Sequence, residues 1–490
     1  MSLAAVGKTF ADFEIGAPDA EADRRLASYF VRTPYVDSAL NLRRALYLGR
    51  KGSGKSALFT QLGRLINEAG YTRSLVIAIT PDQYAWNALR QYSEGGLLPE
   101  QAHSNAWKLT IAIEIAAALS SVAVDELTDA GAKEACQTLR TFLEQNYGSA
   151  SKPNLMASAT RLLKGIKSFN VSAFGFGAGL TREIEDQLLT PQIIDSLLES
   201  ISRISREVGI VVALDKLDDS WEGSDQSKQL LIGLLKASKE LNDRFRGDSP
   251  ANGLAVLVFL RTDIYEGLRF DDKDKHRATE ENIVWTPELL KDMVKERLPE
   301  GVAVDELFEP GEMRGSISPF NYIVKRTFLR PREVLQFLQE CIRRAGPSAT
   351  FITKDQVREA EERYSSWKVE DLKQEYRRLY PDFDELLESL RQGLHRYDSM
   401  EEIGQHLQDR IPRLVDEYGT RRIIELLFNA SAIGVRLGNS GSAKFRSEDS
   451  DLVLPAVGAV YVHQCLYRGL SLREKRARED GGLEDVEERQ

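Results

Sequence analysis

The stretch Leu46-Tyr47-Leu48-Gly49-Arg50-Lys51-Gly52-Ser53-Gly54-Lys55-Ser56-Ala57 limits what this chain can fold into more than any other part of it. Ala45–Leu48 is a short apolar run that predicts a buried strand. Lys55–Glu68 carries apolar residues at Leu58, Leu62, Leu65 and Ile66, the spacing of one helix face, with Gly70 as a stop. A strand that passes straight into a helix through glycines turns several backbone N–H groups toward one point, at the positive end of the helix. That is a phosphate cradle. Side chains at Gly49, Gly52 and Gly54 would obstruct it, Lys55 would meet the β/γ-phosphates, and the Ser56 hydroxyl would ligate Mg²⁺. Gly49 to Ala57 is therefore the expected ATP-binding loop, with Lys55 facing solvent when the loop is empty.

Further strands follow from apolar runs bounded by turn residues: Ser74–Ile79, Gly209–Leu214 and Leu254–Leu260. Alternation of such runs with helical patterns predicts an α/β fold with a parallel sheet. Between residues 84 and 207 the pattern is mostly helical, with Trp107, Ile111, Ile115 and Leu119 at i, i+4 spacing, which marks a helical insert. Val171–Gly179 alternates and predicts a glycine-rich strand, preceded by Arg161, Lys164 and Lys167 on a helix. The expected organisation is an N-terminal helical arm (1–40), a P-loop ATPase core (41–280) and a helical lid and connector (281–378). A winged-helix-like domain (383–472) and a charged, solvated tail (473–490) complete it. Within the winged segment, helical Thr420–Phe428 precedes Ala443–Arg446 and Gly458–His463, and His463 is expected to be a packed or capping side chain.

With 490 residues, 42% hydrophobic and 29% charged, the chain has the composition of a multi-domain globular protein. Its longest apolar run, Leu109–Val124, contains Glu114 and is short of the ~20 residues of a membrane span. The three cysteines lie far apart without a neighbouring His cluster, which argues against a disulfide framework or a zinc site and fits a cytoplasmic location. A formal net charge of −10 confines any nucleic-acid contact to a local basic patch.

A magnesium nucleotide also calls for a carboxylate at the end of a neighbouring apolar strand, and Asp215 fills that place. The next position, where an acid would polarise the attacking water, is Lys216. Asp218 or Asp219 then supplies the base, or hydrolysis is slow. At the end of the following strand Thr262 is placed to sense the γ-phosphate. Arg261 is placed either to complete a neighbour's site or to pair with an acid of its own chain. Arg330 and Arg332 open a later helix, at Pro331, from which guanidinium groups can reach back to phosphate.

At these residues the chain resembles the signal-transduction P-loop ATPases, relatives of the AAA+ class that include STAND and KAP types. The resemblance rests on the glycine loop with helical insert, Leu214-Asp215-Lys216-Leu217-Asp218-Asp219, Leu260-Arg261-Thr262-Asp263-Ile264-Tyr265 and Arg330-Pro331-Arg332. In that group the strand motif often reads Asp-Asp-Leu-Asp, from which Lys216 departs. The resemblance implies a nucleotide-controlled switch that forms homo-oligomers, signals to an effector or partner protein and works in bacterial conflict systems, phage defence among them. The rival expectation is a DNA-acting AAA+-type motor or loader. Nucleic acid is the less favoured partner, because the winged segment offers few cations on one face. A small-molecule kinase of this class would need neither the insert nor the terminal domain.

Overall fold

The computed structural model describes residues 1–81, 89, 99–122, 124–147, 186–219, 221–436, 442–477 and 483–486. The glycine-rich segment Val171–Gly179 and the cations Arg161, Lys164 and Lys167 lie outside them. Two compact units emerge, one of residues 32–284 and one combining residues 1–31 with 285–490.

In the first unit, helix α1 (Pro34–Leu40) leads to strand β1 (Leu46–Leu48), and α2 (Lys55–Glu68) leads to β2 (Leu75–Ile79). Helices α3 (Pro99–Leu119), α4 (Ala130–Tyr147) and α5 (Asp186–Ser205) form the insert. The chain then returns through β3 (Ile210–Leu214), α6 (Asp225–Phe245), β4 (Leu254–Leu260), α7 (Thr262–Gly267) and β5 (Glu280–Asn282). All five strands are parallel, in the order β2-β3-β4-β1-β5. This is the α/β fold of a P-loop NTPase, with β4 interposed between the strand that feeds the glycine loop and the strand that ends at Asp215.

Every residue of β3 and β4 is buried, as a sheet covered on both faces requires. Burying each Val, Leu or Ile side chain stabilises by about 1.5–3 kcal/mol, so this pair of strands dominates the unit's core. Asn242 staples α6 to β4: its amide donates to Val256 O at 2.8 Å while its carbonyl accepts from Val256 N–H at 2.9 Å. Insert and core are joined where Trp107 Nε1 donates to Leu230 O at 2.9 Å. Gly233 permits the close crossing of α3 and α6, since a Cβ there would lie 2.5 Å from that of His103.

The second unit contains α8 (Pro287–Lys295), α9 (Pro319–Val324), α10 (Pro331–Ala345), α11 (Lys354–Tyr376) and α12 (Phe383–Glu388). A three-stranded antiparallel sheet, β6-β8-β7, follows, built from Arg396–Tyr397 (β6), Ile433–Val435 (β7) and Val460–Val462 (β8). Between β6 and β7 run α13 (Met400–Arg410), α14 (Pro412–Tyr418) and α15 (Thr420–Asn429).

Two expectations change here. The leading 31 residues are not a helical arm: they hold only short 3₁₀ turns at Ala4–Val6, Phe10–Asp12 and Leu26–Ser28. Gly16, with φ 86°, and Pro18 break any continuous helix through this stretch. These residues also join the second unit, through Phe10 N–H to Ala349 O (3.0 Å) and the Arg297 guanidinium over the Tyr29 ring (4.4 Å). The charged tail, expected to be solvated, includes an antiparallel ribbon of β9 (Glu474–Ala477) with β10 (Leu483–Val486).

Candidate nucleotide site

The loop between β1 and α2 is built from left-handed glycines. Gly52 has φ 80° and Gly54, which precedes the first turn of α2, has φ 101°, values an L side chain adopts at a cost. Gly49 is tied to the end of β4 on both sides: its N–H donates to Leu260 O (3.2 Å), and its carbonyl accepts from Thr262 N–H (3.4 Å). A Cβ at Gly49 would lie 2.3 Å from Ser53 Oγ, so a side chain there would force the Ser53 hydroxyl to move. Arg50 is half-buried, Lys51 is exposed, and Ala57 lies half-buried in the first turn of α2.

Lys55 does not face solvent. Its side chain is buried, and Nζ donates to the carbonyls of Gly49 (2.7 Å) and Arg50 (3.1 Å). The loop's own carbonyls hold the ammonium. Burial pushes the Lys55 pKa down, while Asp218 and Asp215 oppose the shift.

Asp215 is 2% exposed. Burial raises its pKa, opposed by a hydrogen bond from the Ser56 hydroxyl and by the nearby Lys55 charge. The second carboxylate oxygen, Oδ2, is buried and has no hydrogen-bond partner. An ionised oxygen left so is costly unless something cationic or protic meets it. The pair of Ser56 hydroxyl and Asp215 carboxylate fits a hydrated Mg²⁺, and the glycine cradle with Lys55 fits the phosphates that would accompany it. Lys216, next in sequence, is left-handed with φ 61°. Beyond it Asp218 is half-buried and Asp219 exposed.

At the end of β4, Arg261 is committed to acids of its own chain. Its guanidinium donates to both oxygens of Asp263, at 3.1 and 2.6 Å, and Nη1 lies 3.6 Å from Asp218 Oδ2. Thr262, half-buried, begins α7 directly beside Gly49.

Arg330 and Arg332 belong to the second unit. Arg330 is buried in an ion pair with Glu375 at 2.9 Å and lies 3.5 Å from Glu333; Lys368 also pairs with Glu333 at 2.5 Å. Arg330 is thus held in the interior of its own unit instead of projecting from the start of α10. Arg332 is partly exposed and pairs with Asp19 at 3.2 Å. Nearby, His463 is buried between the rings of Phe328 and Phe445, and its Nδ1 accepts from Cys465 N–H at 3.2 Å. Burial and the charges of Lys368, Arg326 and Arg330 depress its pKa to about 3.

The polar residues of α15 are also engaged. Arg421 donates to Pro455 O (2.9 Å) and Leu454 O (3.0 Å), and Asn429 accepts from Arg446 (2.9 Å). Glu425 lies within 3.3 Å of Arg421 and 3.6 Å of Arg422. Among the described residues no helix is long and apolar enough to cross a membrane, and no three His, Cys, Asp or Glu side chains gather as a metal cluster.

A family described as the FunZ-associated C-terminal helical domain matches residues 288–373, the span of α8 to α11. The 80.3 kDa protein ascribed to transposon gamma-delta of Escherichia coli (strain K12) is 22% identical over 488 residues. The match covers 93% of this chain and 67% of that protein. A solved structure of the Aeropyrum pernix ORC1 protein in complex with DNA is similar at 15% identity and a TM-score of 0.34. That match covers 91% of this chain and 90% of the other.

Proposed function

We propose that the chain binds Mg²⁺–ATP in the loop Gly49–Ala57, hydrolyses it slowly, and uses the nucleotide to control assembly with copies of itself and signalling to a partner protein. The observation that carries the nucleotide reading is the buried, unpartnered Oδ2 of Asp215 beside the Ser56 hydroxyl, at the mouth of a glycine cradle.

On this reading the backbone N–H groups from Gly52 to Ser56 orient the phosphates. Lys55 leaves the carbonyls of Gly49 and Arg50 to donate to phosphate oxygen instead. Ser56 and Asp215 hold the metal's ligand shell, and bound Mg²⁺ would neutralise charge on the β- and γ-phosphates. Asp218 is the half-buried carboxylate available to accept a proton from water, but it already faces Arg261 across 3.6 Å. An acid so engaged is a weakened base, and Lys216 stands where an acid would be expected. Both support slow turnover, suited to a switch that dwells in its ATP state. Action in a bacterial conflict system belongs to this reading as an implication of the resemblance alone.

A second reading is a DNA-acting AAA+-type motor or loader. It is favoured by the transposon origin ascribed to the 22%-identical relative. ATP turnover measured with and without duplex DNA over a salt series separates the two, since only the motor predicts steep, salt-sensitive stimulation. Native mass spectrometry with a non-hydrolysable ATP analogue tests the switch: a larger assembly is expected with the analogue than without it, and an unchanged mass rejects nucleotide-controlled assembly.

A further inference from the structure

The second unit contains a cavity of about 1270 Å³ between the end of α9, one face of α11, the end of α13 and residues 464–474. Its floor is the buried Tyr322 and Glu361 with the half-buried Gln464 and Tyr467. Glu361 accepts from the Tyr322 hydroxyl at 2.6 Å and from Arg326 Nε at 2.7 Å, and the Arg326 guanidinium stacks 3.4 Å from the Tyr322 ring centre. The His395 ring meets Tyr467 edge-on at 5.6 Å.

Charge sets this cavity apart. Arg314, Lys325, Arg358, Arg410 and Arg468 surround it as exposed side chains, with Arg326 and Arg473 half-buried further in. Against these seven cations stand three carboxylates, Glu361, Glu362 and Glu474. Glu361 is matched to Arg326 and Glu474 to Arg314. Arg358 pairs with Asp355, while Lys325, whose charge acts on Glu448, and Arg410 make no ion pair within 4 Å among the described residues. With Asp355 counted against Arg358, seven cations face four carboxylates, and a local excess of three positive charges in a chain whose formal net charge is −10 is a concentrated anion site.

We propose that this cavity binds single-stranded nucleic acid, its rim cations holding successive phosphates and its Tyr467–His395 corner receiving a base. Three features favour this occupant over a small phosphorylated molecule. The volume exceeds the ~300–1000 Å³ usual for small-ligand pockets. Most of the cations ring the opening, on separate segments of the chain, where they suit phosphates spread along a strand. Aromatic rings at the wall supply the stacking surface that unpaired bases use. The site lies in a different unit from the glycine loop and does not rest on the ATPase reading. It is also separate from α15, whose polar side chains are engaged within the protein.

The test is fluorescence anisotropy of the full chain with a labelled ~20-nucleotide dT oligomer. Saturable binding is expected, with log Kobs falling against log salt at a slope of about −2 to −3, the value for about three or four neutralised phosphates. Lys325→Glu/Arg358→Glu/Arg410→Glu should weaken it at least about tenfold while melting temperature stays unchanged. Lys295→Glu/Lys444→Glu, exposed cations of the same unit outside the cavity, should preserve the affinity to within about threefold. The Lys55→Ala chain should bind the oligomer like wild type, which separates this site from the glycine loop. Absence of saturable binding overturns the proposal. So do equal losses in the cavity and control variants, and so does displacement of the oligomer by tripolyphosphate or duplex DNA at equal phosphate concentration.

Discussion

Arg261 donates to both carboxylate oxygens of Asp263, at 3.1 and 2.6 Å, and stands 3.6 Å from Asp218 on its other side. One guanidinium thus ties the end of β4 to the turn after β3, the two neighbouring strand ends on one side of the glycine loop. Arg261→Ala releases Asp218 and should leave ATP affinity within about threefold of wild type while raising turnover by about tenfold, as expected when a candidate base loses its opposing cation. Calorimetric titration paired with steady-state hydrolysis checks this; an equal loss in both would make Arg261 an ordinary phosphate ligand.

Asp215 gives a prediction with a sign. Its carboxyl is held above the ordinary 3.8, chiefly by burial and against the hydrogen bond from Ser56. A group whose folded pKa exceeds its unfolded value binds its proton more tightly when folded. Its contribution therefore favours folding below the unfolded value and is lost as pH climbs through the raised folded value. At neutral pH the bare carboxylate strains the site. Asp215→Asn should raise the melting temperature of the nucleotide-free protein by about 2–4 °C, the shift for ~1 kcal/mol in a domain of this size. The same substitution should abolish the further stabilisation that wild type gains from Mg²⁺–ATP. A lower melting temperature without nucleotide would contradict the burial argument.

Lys55→Ala should remove measurable ATP binding in calorimetry. It also removes one of two donors from each of the Gly49 and Arg50 carbonyls, which keep Thr262 N–H and Ser53 N–H. A stability loss of no more than about 1 kcal/mol is therefore expected in urea unfolding, since neither carbonyl is left without a donor. Lys55→Arg should restore part of the stability without restoring affinity, because the forked guanidinium is too wide for the cradle.

How much of this was legible in the sequence depended on what each element hides from water. Strands β3 and β4 are wholly buried, so their residues had to be apolar, and their ends at Leu214 and Leu260 could be read directly. Strand β5, Glu280-Glu281-Asn282, escaped notice because a polar edge strand carries no periodic signal; only its pairing with β1 identifies it. Asp215 was readable because an acid after a buried apolar run is unusual. The buried attachment of Lys55 was not, since it depends on where the loop's carbonyls point. Arg330 looked available for phosphate because it opens a helix. Its actual partner, Glu375, lies 45 residues away and has no local signature. The cations of the second unit's cavity come from five separate stretches of chain, so no window of sequence shows them as a patch.

The Arg330–Glu333–Lys368–Glu375 cluster predicts where the second unit is most sensitive. Glu333 is nearly inaccessible, accepts from Phe328 N–H at 2.5 Å and pairs with Lys368. Removing one partner of a buried pair leaves the other charge uncompensated, at a cost of about 3–5 kcal/mol. Glu333→Ala should therefore lower the urea midpoint of the second unit's transition far more than Arg332→Ala, whose pair with Asp19 is solvent-exposed. Equal effects of the two substitutions would show that the buried cluster adds nothing specific.

The final prediction concerns Lys216, whose backbone lies in the left-handed region at φ 61° between Asp215, the proposed metal carboxylate, and Asp218. A lysine there can neither accept a proton from water nor help hold a cation, and its positive charge disfavours an acidic neighbour acting as base. Wild-type turnover should accordingly stay below the ~1 s⁻¹ low end of common enzyme rates. Lys216→Glu places a carboxylate where the ATPases this chain resembles often carry an acid and should raise turnover about tenfold or more. Lys216→Asn provides the necessary comparison. Asparagine tolerates the left-handed backbone better than lysine and removes the charge, but it cannot act as a base. If Glu and Asn accelerate hydrolysis equally, the gain comes from losing the positive charge, and Asp218 or a partner subunit is the base. Should wild type already turn over tens of ATP per second, the proposed slow switch fails at this residue.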